Sequence, residues 1–225
     1  MKVKFGLKNV NVFPLTETTS EQTGAVTMSY GTGIKVPGAV NLTLDVDESE
    51  PEKFYADDGV YYVPAGASSG YTGKLEVAVI PDEVKLALMA FIKDASGVIV
   101  ELAEAITKQF GMTFEISTDE KARRLIYYKC QFGRPSLAAA TNSDKKTPQT
   151  DTAPITVLPT SQLFNLGGEE RAVISGYTNA ETDSTVYNNW HTTPHLPSAT
   201  PAPSQDEEDQ DEENQDEENQ VQGEG

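Results

Sequence analysis

Strict alternation of apolar and polar residues, repeated along this chain of 225 residues, is the pattern that constrains its fold most. Val40, Leu42, Leu44 and Val46 take every second position opposite Asn41, Thr43, Asp45 and Asp47, and Phe110, Met112, Phe114 and Ile116 do the same opposite Thr113, Glu115 and Ser117. Successive side chains of a strand point to opposite faces. Each such strand is therefore expected to have one face in a core and one against water or a polar partner, as in antiparallel sheets. Leu75, Val77 and Val79 alternate with Lys74, Glu76 and Ala78, and Ile126, Tyr128, Cys130 and Phe132 share one face of a further strand. Residues 4–12, 25–30, 155–158 and 171–177 add more strands. One helix is expected over about residues 82–93, opened by Pro81 with Asp82 and Glu83 near the positive end of the dipole. Its buried stripe is Val84, Leu88 and Phe91, or Ala87, Phe91 and Ile92. Residues 98–110 read as a short strand followed by an irregular segment. The fold class is mainly β, an antiparallel β-sandwich or barrel with one packed α-helix and no separate second domain.

Turns and composition divide the chain. Asp58-Gly59 is a turn dipeptide, because glycine accepts positive φ and aspartate bonds its own backbone. Residues 16–33, rich in Thr, Ser and Gly, read as a loop or a long hairpin, and residues 141–154 as an exposed loop. The β domain is expected to span residues 1–190. Pro194, Pro197, Pro201 and Pro203 then favour an extended linker over residues 191–204. Residues 205–225 repeat QDEED, QDEEN, QDEEN and are expected to stay disordered, since like charges repel and almost no apolar side chain is present. They hold eleven of the 35 acidic residues and none of the 17 basic ones, so the net charge of −18 falls to −7 over the first 204 residues.

Several classes fail on physical grounds. No apolar run approaches the roughly 20 residues of a membrane helix, and the N-terminus lacks a signal-peptide core, so a cytoplasmic origin is expected. Cys130 is the sole cysteine; it cannot form an internal disulfide and reads as a buried small hydrophobe. His191-Thr192-Thr193-Pro194-His195 has an H-x3-H spacing, but Pro194 prevents the helix that would put both rings on one face. A Ser-His-Asp or Cys-His arrangement would have to recruit one of these two histidines from the Pro-rich linker, a poor platform for held geometry. Lys74 follows Gly73 as in a phosphate loop, yet Ser68 stands where the first glycine is required and Leu75 where Ser or Thr is. Asp45 to Glu50 begins like a calcium loop but has Glu50 in place of the turn glycine. No enzyme, metal or cofactor is expected.

The order of several turn-plus-strand motifs carries a family likeness. Val3-Lys4-Phe5-Gly6-Leu7-Lys8-Asn9-Val10, Val36-Pro37-Gly38-Ala39-Val40, Phe54-Tyr55-Ala56-Asp57-Asp58-Gly59, Ile80-Pro81-Asp82-Glu83 and the late run ending in Gly133-Arg134-Pro135 follow one another along the chain. Over roughly residues 1–190 this resembles the major tail proteins of long-tailed bacteriophages, particularly the group from phages of Gram-positive bacteria. The acidic C-terminus lies outside the likeness. The resemblance implies a homo-hexameric ring stacked into the tail tube of a virion, a conduit for genomic DNA, with a flexible non-contractile tail favoured. It implies the chain itself as first partner, then tape measure, tail tip and tail terminator proteins, with DNA passing through unbound and no membrane.

A tube wall lined with Lys and Arg would hold duplex DNA by its phosphates, whereas a neutral or acidic wall lets it slide. Asp45, Asp47, Glu48, Glu50, Glu52, Asp57 and Asp58, against Lys53 alone, are candidates for that wall or its rim; they equally suit a solvated loop of an acidic protein. Phe54 and Tyr55 could anchor a neighbouring subunit. They could also fold back onto their own core. Trp190 and Tyr187 are expected to dock the end of the ordered body, and Arg134 to fix a turn or a salt bridge. The rival reading is a stand-alone β-sandwich binding module that takes a glycan or protein ligand through exposed Tyr and Trp.

Overall fold

The structure, a computed structural model, describes residues 4–48, 54–56, 59–62, 68–104, 106–118, 121–139 and 149–198. The chain opens with a strand of 16 residues, β1 (Lys4–Thr19), followed by β2 (Val26–Tyr30), β3 (Ile34–Lys35) and β4 (Ala39–Glu48). A short hairpin, β5 (Phe54–Ala56) and β6 (Gly59–Tyr62), leads to β7 (Ser68–Val77). Helix α1 (Asp82–Leu88) precedes a second hairpin, β8 (Phe91–Lys93) and β9 (Ile99–Glu101). The long strands β10 (Gln109–Thr118), β11 (Arg123–Phe132) and β12 (Asp151–Leu158) follow. Short strands β13 (Phe164–Leu166), β14 (Glu169–Arg171) and β15 (Ser175–Tyr177) and helix α2 (Ser184–Asn189) complete the described elements.

Nine strands form one antiparallel sheet in the order β2-β1-β10-β11-β12-β7-β4, with β3 joining β1 and β15 joining β11. Its end strands, β2 and β4, are not paired with each other, so the described strands make an open sheet and not a closed barrel. Contacts divide the chain into two units, Met1–Gln162 with Ala172–Leu196, and Leu163–Arg171 with Pro197–Gly225. The described part of the second is the β13–β14 hairpin, turned by Gly167 and Gly168 at positive φ. The acidic repeat lies outside the described residues.

The core of the first unit follows the alternation read from the sequence except in β11, where a bulge between Tyr127 and Cys130 leaves Ile126 and Tyr128 on the opposite face from Cys130 and Phe132. Phe110, Met112 and Phe114 of β10, Cys130 and Phe132 of β11, and Ile155 and Val157 of β12 are buried together with Leu75 and Val77 of β7. Phe110 stacks on Phe132 with centroids 4.2 Å apart. Helix α1 lays Val84 and Leu88 over one end of this cluster.

Further expectations need correction. The helix stops at Leu88, because Ala90 adopts φ 60° and turns the chain outward; Phe91 and Ile92 belong to β8, and Ile92 is exposed. A left-handed alanine costs on the order of 1–2 kcal/mol, offset here by the bond from Lys108 N–H to the Leu88 carbonyl and by the packing of α1. Residues 151–154, expected in a loop, are the first part of β12. Pro154 is tolerated there because the ladder with β11 begins at Ile155, so its missing N–H removes no ladder bond, while its carbonyl accepts from Gly133 N–H. The strand expected over residues 171–177 is split between β14 and β15. A second helix, α2, also stands where none was expected, started by the Asp183 carboxylate, which accepts from Thr185 and Val186 N–H. Those bonds hold the Asp183 carboxyl below its ordinary pKa.

Strand β10 departs from the one-sided pattern. Its second face is covered as well, with Gly111 beneath the Tyr30 ring and Thr113 fully buried. Residues 16–33 form the long hairpin of the two alternatives, and three bonds tie it down. Tyr30 donates its hydroxyl to the Tyr128 carbonyl at 2.8 Å, Met28 N–H donates to Gln162 Oε1 at 2.7 Å, and Lys129 Nζ reaches Glu17 at 2.9 Å. Burial pushes the Tyr30 hydroxyl above its ordinary pKa.

A methyl group at position 111 would lie 2.6 Å from Tyr30 Cε1, so Gly111→Ala must displace the ring that holds this hairpin. The expected result is a loss of about 1–3 kcal/mol. It should be read as a lower urea midpoint with an unchanged slope.

Candidate assembly surfaces

Hydrophobic side chains that this unit leaves uncovered concentrate at the two ends of β10. At the Phe110 end, the β8–β9 hairpin projects beyond α1. Ile92 lies directly opposite Val100 in its ladder. Val98 and Leu102 flank β9 immediately on either side. All four are exposed, by 40% to 56%. The hairpin base is fixed to the sheet. Arg134 donates Nη2 to the Ala103 carbonyl at 2.6 Å and sits 3.5 Å from Glu101, and Gln131 Nε2 bonds Thr107 at 3.0 Å. Arg134 thus fixes the turn and ion pair expected of it.

At the Ile116 end the sheet curls so that the edge strand β4 faces β1, β10 and β11 across a groove of about 470 Å³. Leu42, Leu44, Phe114, Ile116, Leu125 and Tyr127 are among its walls. Tyr127 is braced by Phe114 and Tyr71, with ring centroids 5.9 Å and 5.8 Å away. Burial, Tyr71 and Cys130 raise its pKa. A small-molecule site of this size ordinarily has a few convergent polar groups to fix orientation. Here no charged side chain lines the groove; its polar side chains are Tyr127, through its hydroxyl, and Asn41, an exposed residue whose amide donates to Thr43 Oγ1. With no charged group among its walls and mostly apolar side chains, the groove suits cover by another protein surface better than recognition of a charged ligand. Six residues of strand, roughly 20 Å, separate Phe110 from Ile116. The chain cannot bring its own hairpin to its own groove.

Strand β4 bounds this groove and carries part of the acidic set. Asp45 and Asp47 are exposed on its outward face beside Asn41 and Thr43. Val46 between them is also half exposed, so the far end of β4 has solvent on both faces. Glu48 ends the strand, and its side chain lies outside the described residues. Glu50, Glu52, Asp57 and Asp58 lie outside them altogether. For Phe54 and Tyr55 the backbone is described, paired with β6 in a hairpin, but their side chains are not. The structure therefore brings together Asp45 and Asp47 alone of the nine singled-out residues. The β8–β9 face was missed, because residues 91–93 were assigned to the helix.

The two histidines take separate partners. His195 stacks on Trp190 at 5.9 Å. His191 is held against the sheet and not in a spacer: its Nδ1 is 3.0 Å from Thr113 Oγ1, and its Nε2 is 3.8 Å from Glu115 Oε2. Hydroxyl, imidazole and carboxylate thus stand in the order of a nucleophilic triad. The Thr113 hydroxyl is fully buried, however, and neither the groove nor the recess beside α2 is lined by it. A substrate atom has no described route to within about 3 Å of it. Among the described residues no group of three or more His, Cys, Asp or Glu is placed to hold a metal ion, and no helix is long and apolar enough to cross a membrane. Burial pushes the Cys130 thiol far above its ordinary pKa, as expected of a core residue.

Compared with known proteins, the chain matches no protein-family model, and no curated protein matches it.

Because Ile92 and Val100 are 48% and 40% exposed and lie outside the core cluster, replacing both with serine should change folding stability by no more than about 0.5 kcal/mol each. A larger loss in urea unfolding would show that the hairpin face is part of the core.

Proposed function

We propose that this chain is the tail-tube subunit of a long-tailed bacteriophage, a structural virion protein with a tail-tube-like β fold whose copies close into hexameric rings and stack into the conduit for the genome. The observation that carries the reading is the placement of an apolar projection and an apolar groove at opposite ends of one strand. A contact between two different patches of identical subunits is heterologous, and such contacts propagate as rings or open filaments. The hairpin of one copy seated in the groove of the next buries four aliphatic side chains, and full burial of each is worth about 1.5–3 kcal/mol. The open edges of β2 and β4 supply unpaired backbone for lateral pairing within a ring. The order of motifs across residues 1–190, which resembles the tail-tube family, supplies the hexamer and the partners: tape measure, tail tip and tail terminator proteins. In this reading Asp45 and Asp47 face the passage or its rim and keep it from gripping phosphates. No reaction is assigned to the chain.

Electron microscopy of the full chain at high concentration tests this directly: rings or tubes are expected, and a protein that stays monomeric under all assembly conditions overturns the reading. The Ile92→Ser, Val100→Ser variant should fold and fail to form tubes. Changing Asp45 and Asp47 to lysine should leave tubes intact while slowing genome release. Unaltered release from such tubes would remove these two residues from the passage.

A further inference from the structure

We propose that residues 184–196 form an acid-released strap, held across the β10–β11 face while His191 is neutral and freed when His191 takes up a proton. The strap is tied by few bonds. Trp190 is buried and donates Nε1–H to the Leu125 carbonyl at 3.1 Å, Tyr187 donates its hydroxyl to the Ala122 carbonyl at 3.0 Å, and Arg124 donates Nη1–H to the Tyr187 carbonyl. Beneath it lie Ile126 and Tyr128, which Trp190, Val186 and Leu196 cover.

His191 is the weak point of this arrangement. Its Nε2 is buried without a hydrogen-bond partner, the sole such side-chain atom among the described residues, and faces Glu115 Oε2 at 3.8 Å. A lone pair aimed at a carboxylate would repel it, so the proton of the neutral ring sits on Nε2, and Nδ1 accepts from the Thr113 hydroxyl. Protonation puts a hydrogen on Nδ1 as well. Thr113, fully buried, must then turn its own hydrogen away from its partner.

The charges around the ring point the same way. From β10 it faces Glu115 and from β11 Arg124, while the Asn9 amide of β1 donates to the same Glu115 Oε2 at 3.5 Å. On the strap itself Tyr187 is sandwiched between two cations, Lys121 at 3.7 Å and Arg124 at 3.9 Å from its ring. Glu115 is already matched by Arg124 Nε at 3.2 Å. A charged His191 would add a second cation beside a carboxylate that Arg124 already pairs, with Arg124 itself close by. Burial and Arg124, opposed by Glu115, accordingly hold the His191 pKa below its ordinary value.

The docked strap therefore binds fewer protons than the free one. Docking is intact above the free imidazole value of about 6.5 and weakens by up to about tenfold per pH unit below it, until docked His191 itself titrates.

Trp190 is the single tryptophan, so its emission reports the strap. Between about pH 8 and about pH 5, the full-length chain should show a reversible red shift of Trp190 emission with its far-UV circular dichroism unchanged. Hydrogen exchange should quicken in residues 184–196 and not in β10. The shift should persist in His195→Gln, which removes the imidazole stacked on the indole, and vanish in His191→Gln. An emission that stays constant, or one that shifts equally in His191→Gln, overturns the proposal. Should His191→Gln fail to fold, proton NMR of His195→Gln decides: the one remaining imidazole must titrate below about 6.5, and a value at or above that refutes the strap.

Discussion

The burial of β10 on both faces is the constraint on which the rest of this unit depends. One face, Phe110, Met112 and Phe114, fills the common core. The other must be covered by elements distant in sequence, because Gly111 and Thr113 are too small to bury themselves. Tyr30 covers the first and the residues around His191 cover the second. The β1–β2 hairpin and the strap are thereby drawn onto one sheet face, each fixed by a few directional bonds together with one buried anchor, Met28 in the hairpin and Trp190 in the strap. Buried polar groups of this kind are worth most when every member is satisfied, and a single unmatched one becomes the place where the structure yields.

Strand β11 distributes that constraint. It pairs along β10 on one side and on the other divides its length between β12, at Lys129 to Phe132, and β15, at Leu125 to Tyr127. The split lets the sheet curl. Beyond β12 the chain continues through β7 to β4, where Gly73 permits close passage: a Cβ there would meet the Thr43 carbonyl oxygen at 1.9 Å. Curling brings β4 opposite β1 without pairing the ends, and the gap left between them is the groove.

Much of this was legible in the sequence, for a definite reason. A period of two fixes which side chains share a face until a bulge intervenes, so the inward set of β10 was readable, as were Cys130 in the core and Trp190 at the end of the body. In β11 the bulge between Tyr127 and Cys130 parts Ile126 and Tyr128 from Cys130 and Phe132, and in β4 Leu42 and Leu44 turn inward while Val40 and Val46 stay exposed. What was not legible came from distant partners or from backbone choices without a side-chain signal. Ala90 ends the helix in a conformation that glycine usually marks, and nothing in its local sequence announces it. The polar start of β12 is a strand because β7 pairs with it, and strand preference depends on such neighbours more than on composition. His191 reads as linker until the sheet that receives it is in place. Of the candidate surfaces, the acids of β4 stood out by charge, whereas the exposed β8–β9 face was hidden inside an overlong helix.

The placement of sulfur has a consequence for durability. Met28, Met89, Met112 and Cys130 are all buried, which accounts for every sulfur atom among the described residues. Peroxide and disulfide exchange reach such atoms only when the fold opens. Oxidative ageing at these described sites is therefore limited by the rate at which the fold opens and not by the intrinsic reactivity of the thiol and thioethers.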